Sequence, residues 1–345
     1  LAGCSGPIEK TKFFPGCLYK SLFTLALFAL VGFVYQFVGS RRDAANFPPP
    51  GEFVDLGGYR LHFMQSGQDG PTVVLEAGLG DTSIVWSKIQ DEVGQFARAV
   101  SYDRAGMGWS DLGPDPRDSQ HIANELHSLL KKADIPGPYI LVGHSMGGYH
   151  IRVFAASWPD EVVGMVLVDA AHEDQFDRFP PEISGMVRRQ GTIFSVLSKL
   201  APFGMVRLMG MVKGEGLDDE WKGAAVAVAN RTQVATALAG ELSQLDANIA
   251  QVKAAGNLGD IPLAVLTAEQ KPNPGYTPEI NETMRVLWLE LQKDLAKLSS
   301  NSTQQVAEES EHHIHLTRPD LVIAAIRDVV DKARNTEVSG EVQSQ

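Results

Sequence analysis

Cysteine is almost missing from this sequence of 345 residues. Only Cys4 and Cys17 occur, both ahead of the stretch that reads as a folded domain. A disulfide framework for that domain is excluded, and so are a cysteine nucleophile and a thiolate metal site within it. Positive charge is scarce too: 30 Lys and Arg against 42 Asp and Glu leave a net charge of -12. Phosphate backbones need a basic face, so nucleic acid is excluded as the main partner, and anionic lipid would not attract the chain. Neutral lipid is untouched by that argument. Internal repeats are also lacking. What is there is a composition 44% apolar, enough to bury a sizeable core in one large α/β domain or two smaller ones.

One long apolar run stands out. Residues 21–38 are almost all Leu, Phe, Ala and Val, with Gln36 the only strongly polar side chain. At ~1.5 Å per residue they cover roughly 27 Å, enough to cross a bilayer core. Lys10, Lys12 and Lys20 precede the run and Arg41 and Arg42 follow it, so the positive-inside bias is slight. The run reads as a transmembrane signal anchor behind an N-terminal segment (1–20), with the rest of the chain extracytoplasmic. A cleaved signal peptide is the alternative, since Val38-Gly39-Ser40 offers small residues at a cut, and the chain would then be secreted. A buried helix is the third. Residues 39–51 follow as a linker, ending in Phe47-Pro48-Pro49-Pro50-Gly51, a composition that favours an extended rod.

Beyond the linker, residues 53–56 and 59–65 read as strands joined by Gly57-Gly58, a hairpin signal. Apolar strands are expected at 71–76, 99–102, 139–142, 162–168 and 261–267, with a short one at 304–307. Helical spacing falls at 86–96, 119–132, 146–157, 283–298 and 321–330. Strands alternating with helices predict a mostly parallel sheet flanked by helices, with ligands at the carboxyl ends of the strands. Residues 172–259 break the alternation: helical patterns rich in Met, Phe and Ala, with no convincing strand. They read as a helical cap inserted before the penultimate strand, over a core of 52–171 and 260–334. The polar end, 335–345, reads as a disordered tail.

The chemistry is carried by the placement of glycine. The run Tyr139-Ile140-Leu141-Val142 ends in Gly143-His144-Ser145-Met146-Gly147, and a helical pattern begins at once. Glycines on both sides let the chain turn sharply from strand to helix, with Ser145 at the strained apex and its hydroxyl pointing away from the sheet. The helix N-terminus behind it can stabilise developing negative charge. A serine is a poor nucleophile until a base accepts its proton, so a histidine within reach is required. Of the nine histidines, His62, His121, His127 and His150 sit in predicted strands and helices, where structural roles suit them. His144 lies in the bend itself. Three more lie close together in the loop Ser310-Glu311-His312-His313-Ile314-His315-Leu316, between the last strand and the last helix.

On these residues, positions 52–334 resemble the α/β-hydrolase superfamily, in particular its capped serine hydrolases of the esterase and lipase type. Members close their triad with Ser-Gly-His-x-Ile-x-Leu, which falls here on His312, with Glu311 replacing the usual glycine. A metal site made of His312, His313 and His315 is the alternative, although three near-adjacent histidines do not easily face one ion. For the acid, the resemblance offers two places. After strand 261–267 the chain has Thr267-Ala268-Glu269-Gln270-Lys271, with lysine where an aspartate is usual; at the end of the preceding strand, Val168-Asp169-Ala170-Ala171 matches the turn of pancreatic-type lipases. Asp169 is the preferred acid, ahead of Glu269 and then Glu173 or Asp174. The oxyanion donors implied are the backbone amides of Met146 and of Leu79, the latter in Glu76-Ala77-Gly78-Leu79-Gly80. Asp103 and Arg104 read as an ion pair bracing their loop.

The expected activity is hydrolysis of small apolar carboxylic esters through an acyl-enzyme, with no cofactor. A proline-iminopeptidase-like peptidase or amidase, a cofactor-free perhydrolase and a catalytically silent ligand-binding module are the rivals. Epoxide hydrolases and haloalkane dehalogenases share the capped architecture but use an aspartate nucleophile, and position 145 is serine.

Overall fold

A computed structural model describes residues 15–68, 70–269 and 271–343. Residues 1–14, with Cys4 and most of the N-terminal segment, lie outside them, as do Asp69, Gln270 and the last two residues. The strand signals become one eight-stranded sheet, ordered β1-β2-β4-β3-β5-β6-β7-β8. Its strands are β1 (Glu52–Asp55), β2 (Arg60–Ser66), β3 (Thr72–Glu76), β4 (Arg98–Tyr102), β5 (Tyr139–His144), β6 (Val162–Val168), β7 (Leu263–Ala268) and β8 (Ser302–Ala307). The hairpin β1–β2 and the pair β2–β4 are antiparallel, and every later pairing is parallel.

The continuous apolar runs are explained by burial on both faces. Side chains alternate across a strand, and here the alternation sorts them into two cores. Leu141, Met165, Leu167, Leu263 and Val265 join one, against α3 (Ser119–Lys132) and α4 (Gly147–Ser157). Ile140, Val142, Val166, Val168 and Leu266 join the other, against α2 (Ser87–Gly94) and the last helix. A strand buried on both sides has no polar face to alternate with.

Parallel register then lines up the carboxyl ends. Glu76 of β3 stands opposite Gly143 of β5, His144 opposite Val168 of β6, Val168 opposite Leu266 of β7, and Ala268 opposite Ala307 of β8. β3 also lies between β4 and β5, so the strand order reverses beside it, the place where such sheets bind ligands.

Between β6 and β7 the chain is helical: α5 (Gln175–Arg178), α6 (Pro181–Leu200), α7 (Met205–Met209), α8 (Asp219–Ala229), α9 (Thr232–Ser243) and α10 (Leu245–Ala255). This is the cap, inserted before the penultimate strand. Three helices follow: α11 (Pro278–Ala296), the short α12 (Ile314–Thr317) and α13 (Pro319–Gln343). Two expectations need correction. α13 runs across 335–343, read above as disordered tail, because extending a formed helix is cheap compared with nucleating one. Helix α1 (Pro15–Asn46) likewise continues through much of the expected linker, and the chain leaves it only ahead of Pro48-Pro49-Pro50. One N-terminal apolar helix of this kind fits either a membrane anchor or a cleavable signal.

Asp103 and Arg104 brace their loop, but not by pairing with each other. Asp103 holds His62 Nδ1 at 2.9 Å and accepts from the Ser83 and Trp109 amides. Buried Arg104 donates to Glu76 Oε1 (2.7 Å), to the Ala77 and Gly78 carbonyls (2.7 and 2.8 Å) and to Glu241 of α9 (2.9 Å). The guanidinium therefore joins sheet, loop and cap. Arg104→Met is expected to destabilise the fold by about 3–5 kcal/mol, since it strands two buried carboxyls without a partner. Equilibrium urea unfolding measures this; a loss below about 1 kcal/mol, the scale of an exposed pair, contradicts it.

Candidate active site

The site grows from the row of strand ends. Ser145 leaves β5 with φ 51°, a left-handed conformation that a side chain adopts at a cost. Its amide donates to Val168 O (3.2 Å), and its carbonyl accepts from Gly148 and Ala171 (3.0 and 2.9 Å). The bend is therefore held by α4 on one side and the end of β6 on the other. Glycine is needed at position 147, where a Cβ would lie 2.7 Å from both the Glu76 and Ala77 carbonyls. A Cβ at Gly78 would lie 2.7 Å from His144 Nδ1. The loop carrying Leu79 is thus packed directly against the bend carrying Ser145 and Met146.

Asp169 ends β6 in a second left-handed residue (φ 43°) and is fully buried. Its Oδ2 lies 2.7 Å from His312 Nδ1, and Oδ1 accepts from the Ala268 amide (2.9 Å) and the Trp288 indole (2.7 Å). A buried carboxylate needs such partners. Trp288 escaped the sequence analysis. The available signal was its spacing from Gln292 on α11: Gln292 donates to Ala170 O (2.7 Å), so two polar groups one turn apart meet the β6 end. The other candidate acids are engaged elsewhere. Glu269 accepts from the Glu309 amide (2.7 Å), Glu173 clamps Arg152 (2.6 Å), and Asp174 pairs with Lys253 (2.8 Å). Glu311, which replaces the family's glycine, is exposed and meets Lys271 at 2.8 Å.

The three neighbouring histidines have three different surroundings. His312 turns to Asp169. His313 Nε2 lies 3.2 Å from Asp81 Oδ2. His315 is fully buried against Trp86, and burial drives its pKa well down. They do not converge on one ion. His144 ties their loop to the bend, its Nε2 lying 3.0 Å from the His312 carbonyl. Its Nδ1 is 3.4 Å from Asp81 Oδ2 without a hydrogen bond. One ligand atom each from Asp81, His144 and His313 lie within 4.8 Å of one another, and these are the atoms that could hold a cation. Burial lowers His144 to a pKa of about 4, against the pull of Asp81. Burial also opposes ionisation of Asp81, but its contacts with His144 and His313 outweigh that and hold it far below the carboxylate range. In His313 burial is again outweighed by Asp81, and the pKa rises.

With this geometry in view, the chain belongs to the alpha/beta hydrolase family, whose sequence profile matches residues 73–325. It is 27% identical over 267 residues to the uncharacterized protein YqjL of Bacillus subtilis, covering 77% of this chain and 85% of YqjL. It is 35% identical over 135 residues, 37% of its own length, to the probable transporter efuK of Hormonema carpetanum, and spans 19% of that protein. Among solved structures it resembles the Cif epoxide hydrolase of Acinetobacter nosocomialis, with a TM-score of 0.66, 14% identity, and 86% and 96% of the two chains covered. At that identity the likeness is one of fold.

Asp81 and His313 give a titration test. The His313–Asp81 pair adds stability below about pH 6.5 and loses it as pH rises through the raised His313 pKa. At the acid end it is lost only as pH falls below about 4 toward the depressed Asp81 value. Asp81→Asn is expected to move the His313 midpoint downward in proton–carbon NMR, because burial then loses the strongest group that opposes it. An unmoved midpoint would assign the shift to another group.

Proposed function

We propose that this protein is a serine hydrolase of carboxylic esters, with 52–171 and 260–334 as its catalytic body and 172–259 as its lid. The observation that carries the reading is the 2.7 Å contact between His312 Nδ1 and buried Asp169, in a loop fastened to the serine bend. A proton on Nδ1, shared with Asp169, leaves Nε2 bare to accept the proton of the Ser145 hydroxyl. Oγ then attacks the acyl carbon, and the carbonyl oxygen becomes an oxyanion between the Met146 and Leu79 amides. His312 passes its proton to the departing alcohol. It next takes a proton from water, which attacks the acyl-serine, and returns that proton to Oγ as the acid leaves. Asp169 stays ionised throughout and stabilises the imidazolium.

The residue at position 145 separates this reading from epoxide opening, since a serine ester intermediate is formed and released without an aspartyl nucleophile. No cofactor enters any step.

Ser145→Ala is expected to abolish p-nitrophenyl acetate hydrolysis and labelling by a fluorophosphonate while leaving the circular dichroism unchanged. Asp169→Asn is expected to keep the fold and lower kcat by about 10^4-fold, as loss of the orienting carboxylate does in such triads. Undiminished turnover in Ser145→Ala, or a folded wild-type protein that the probe does not label, would defeat the proposal and favour a binding module.

A further inference from the structure

Helix α1 is not a free leash. Its middle third lies against the cap between α6 and α7. A Cβ at Gly32 would fall 2.4 Å from the Phe203 carbonyl, and Tyr35 packs on Gly204. Gln36, the one strongly polar group of the apolar run, is 4% exposed and donates to Asn230 O at 2.8 Å. Arg207 meets Asp43 of α1 at 2.7 Å. Removing α1 would uncover each of these groups, so the contacts favour its retention over its cleavage.

The contact has a depth. Arg41 and Arg42 mark the end of the apolar run, and at ~1.5 Å per residue Gly32 stands roughly 14 Å along the axis from Arg41. One leaflet of hydrocarbon is about 15 Å thick. A cap segment touching Gly32 must therefore lie at leaflet depth whenever α1 spans the bilayer. That segment is apolar and uncovered: Leu200, Phe203, Leu208, Met209, Met211 and Val212 are all exposed, Leu208 at 71% and Met209 at 54%. The one basic residue seated against α1 there, Arg207, is neutralised by Asp43 near the interfacial end. Lys199 and Lys213 bound the patch in sequence, where long stems can carry their charge to the headgroups. Exposed large apolar side chains grouped in this way mark an interaction surface, and the contact of this segment with α1 identifies the partner.

Met211 and Val212 also line a cavity of about 540 Å³, together with Asp81 and His313. The cavity reaches the neighbours of Leu79 and His312, since Gly80 and His313 belong to its wall. We propose that the cap face 200–212 is embedded in the same leaflet as α1, and that the site takes long-chain acyl esters from a neutral bilayer rather than from water. The second clause rests on the ester-hydrolase reading; the first does not.

Two measurements separate them. In a Cys4→Ser, Cys17→Ser background, Met209→Cys in the full chain carries an NBD fluorophore, and the protein is reconstituted in phosphatidylcholine vesicles. Quenching by doxyl-labelled phosphatidylcholine, with protection from aqueous iodide, is expected; Asp160→Cys, on the turn before β6, should behave oppositely. Iodide quenching at 209 equal to that at 160 would overturn the embedding. The double variant Leu208→Asp, Met209→Asp should hydrolyse p-nitrophenyl acetate within twofold of wild type but vesicle-borne monooleoylglycerol at least tenfold more slowly. Equal rates on the vesicle ester, or equal losses on both, would overturn delivery from the bilayer. A wild type inactive on both esters would count against the hydrolase reading instead, leaving the quenching result to stand.

Discussion

The arrangement of the molecule depends on one buried cation. Arg104 leaves the end of β4 and finds the end of β3 through Glu76, the following loop through two carbonyls, and the cap through Glu241. Taking a guanidinium out of water is costly, and the cost is offset only while all of these partners stay in place. Sheet, Leu79 loop and cap are consequently fixed relative to one another by electrostatics as well as by packing. Tyr102 adds a hydrogen bond to the same Glu76, whose carboxyl burial itself pushes up in pKa.

Strain is concentrated where the proposed chemistry would occur. Ser145 and Asp169 are two of only four non-glycine residues with positive φ among those described, and they end adjacent parallel strands. A left-handed side-chain residue costs on the order of 1–3 kcal/mol and survives where its surroundings over-determine it. Here the Val168, Ala171 and Ala268 backbone bonds do so. Each left-handed residue breaks off its strand at the carboxyl end, so neither side chain continues the two-faced alternation of the sheet. Electrostatics then divides the histidine loop: the exposed ring of His312 meets a buried carboxylate, His313 forms an ion pair, and His315 is kept neutral by burial.

Much of this was readable in advance. The run from Tyr139 to Gly147 announced a strand, a bend and a helix because glycine placement and apolar periodicity are local properties of a chain. Helix α3 and strand β6 have the predicted limits for the same reason. The preference for Asp169 over Glu269 came from the resemblance: Val168-Asp169-Ala170-Ala171 matches the lipase turn, whereas lysine stands at 271 where an aspartate is usual. The partners of Asp103 and Arg104 were not legible. Adjacent opposite charges suggested a pair, yet neighbours on an extended chain point apart, and each found its partner on another element, far away in sequence.

The sequence by itself determined the strands of the sheet and the helices that flank it, where the backbone must bend, and that residues 21–38 are apolar enough to span a bilayer. Those features follow from steric freedom and hydrophobicity within a few residues. Only the tertiary structure decided that Trp288 completes the Asp169 hydrogen bonds, that three adjacent histidines part company, and that α1 lies on the cap rather than trailing from it. Each of those depends on groups distant in the chain being brought within hydrogen-bonding or van der Waals range, which local pattern does not encode.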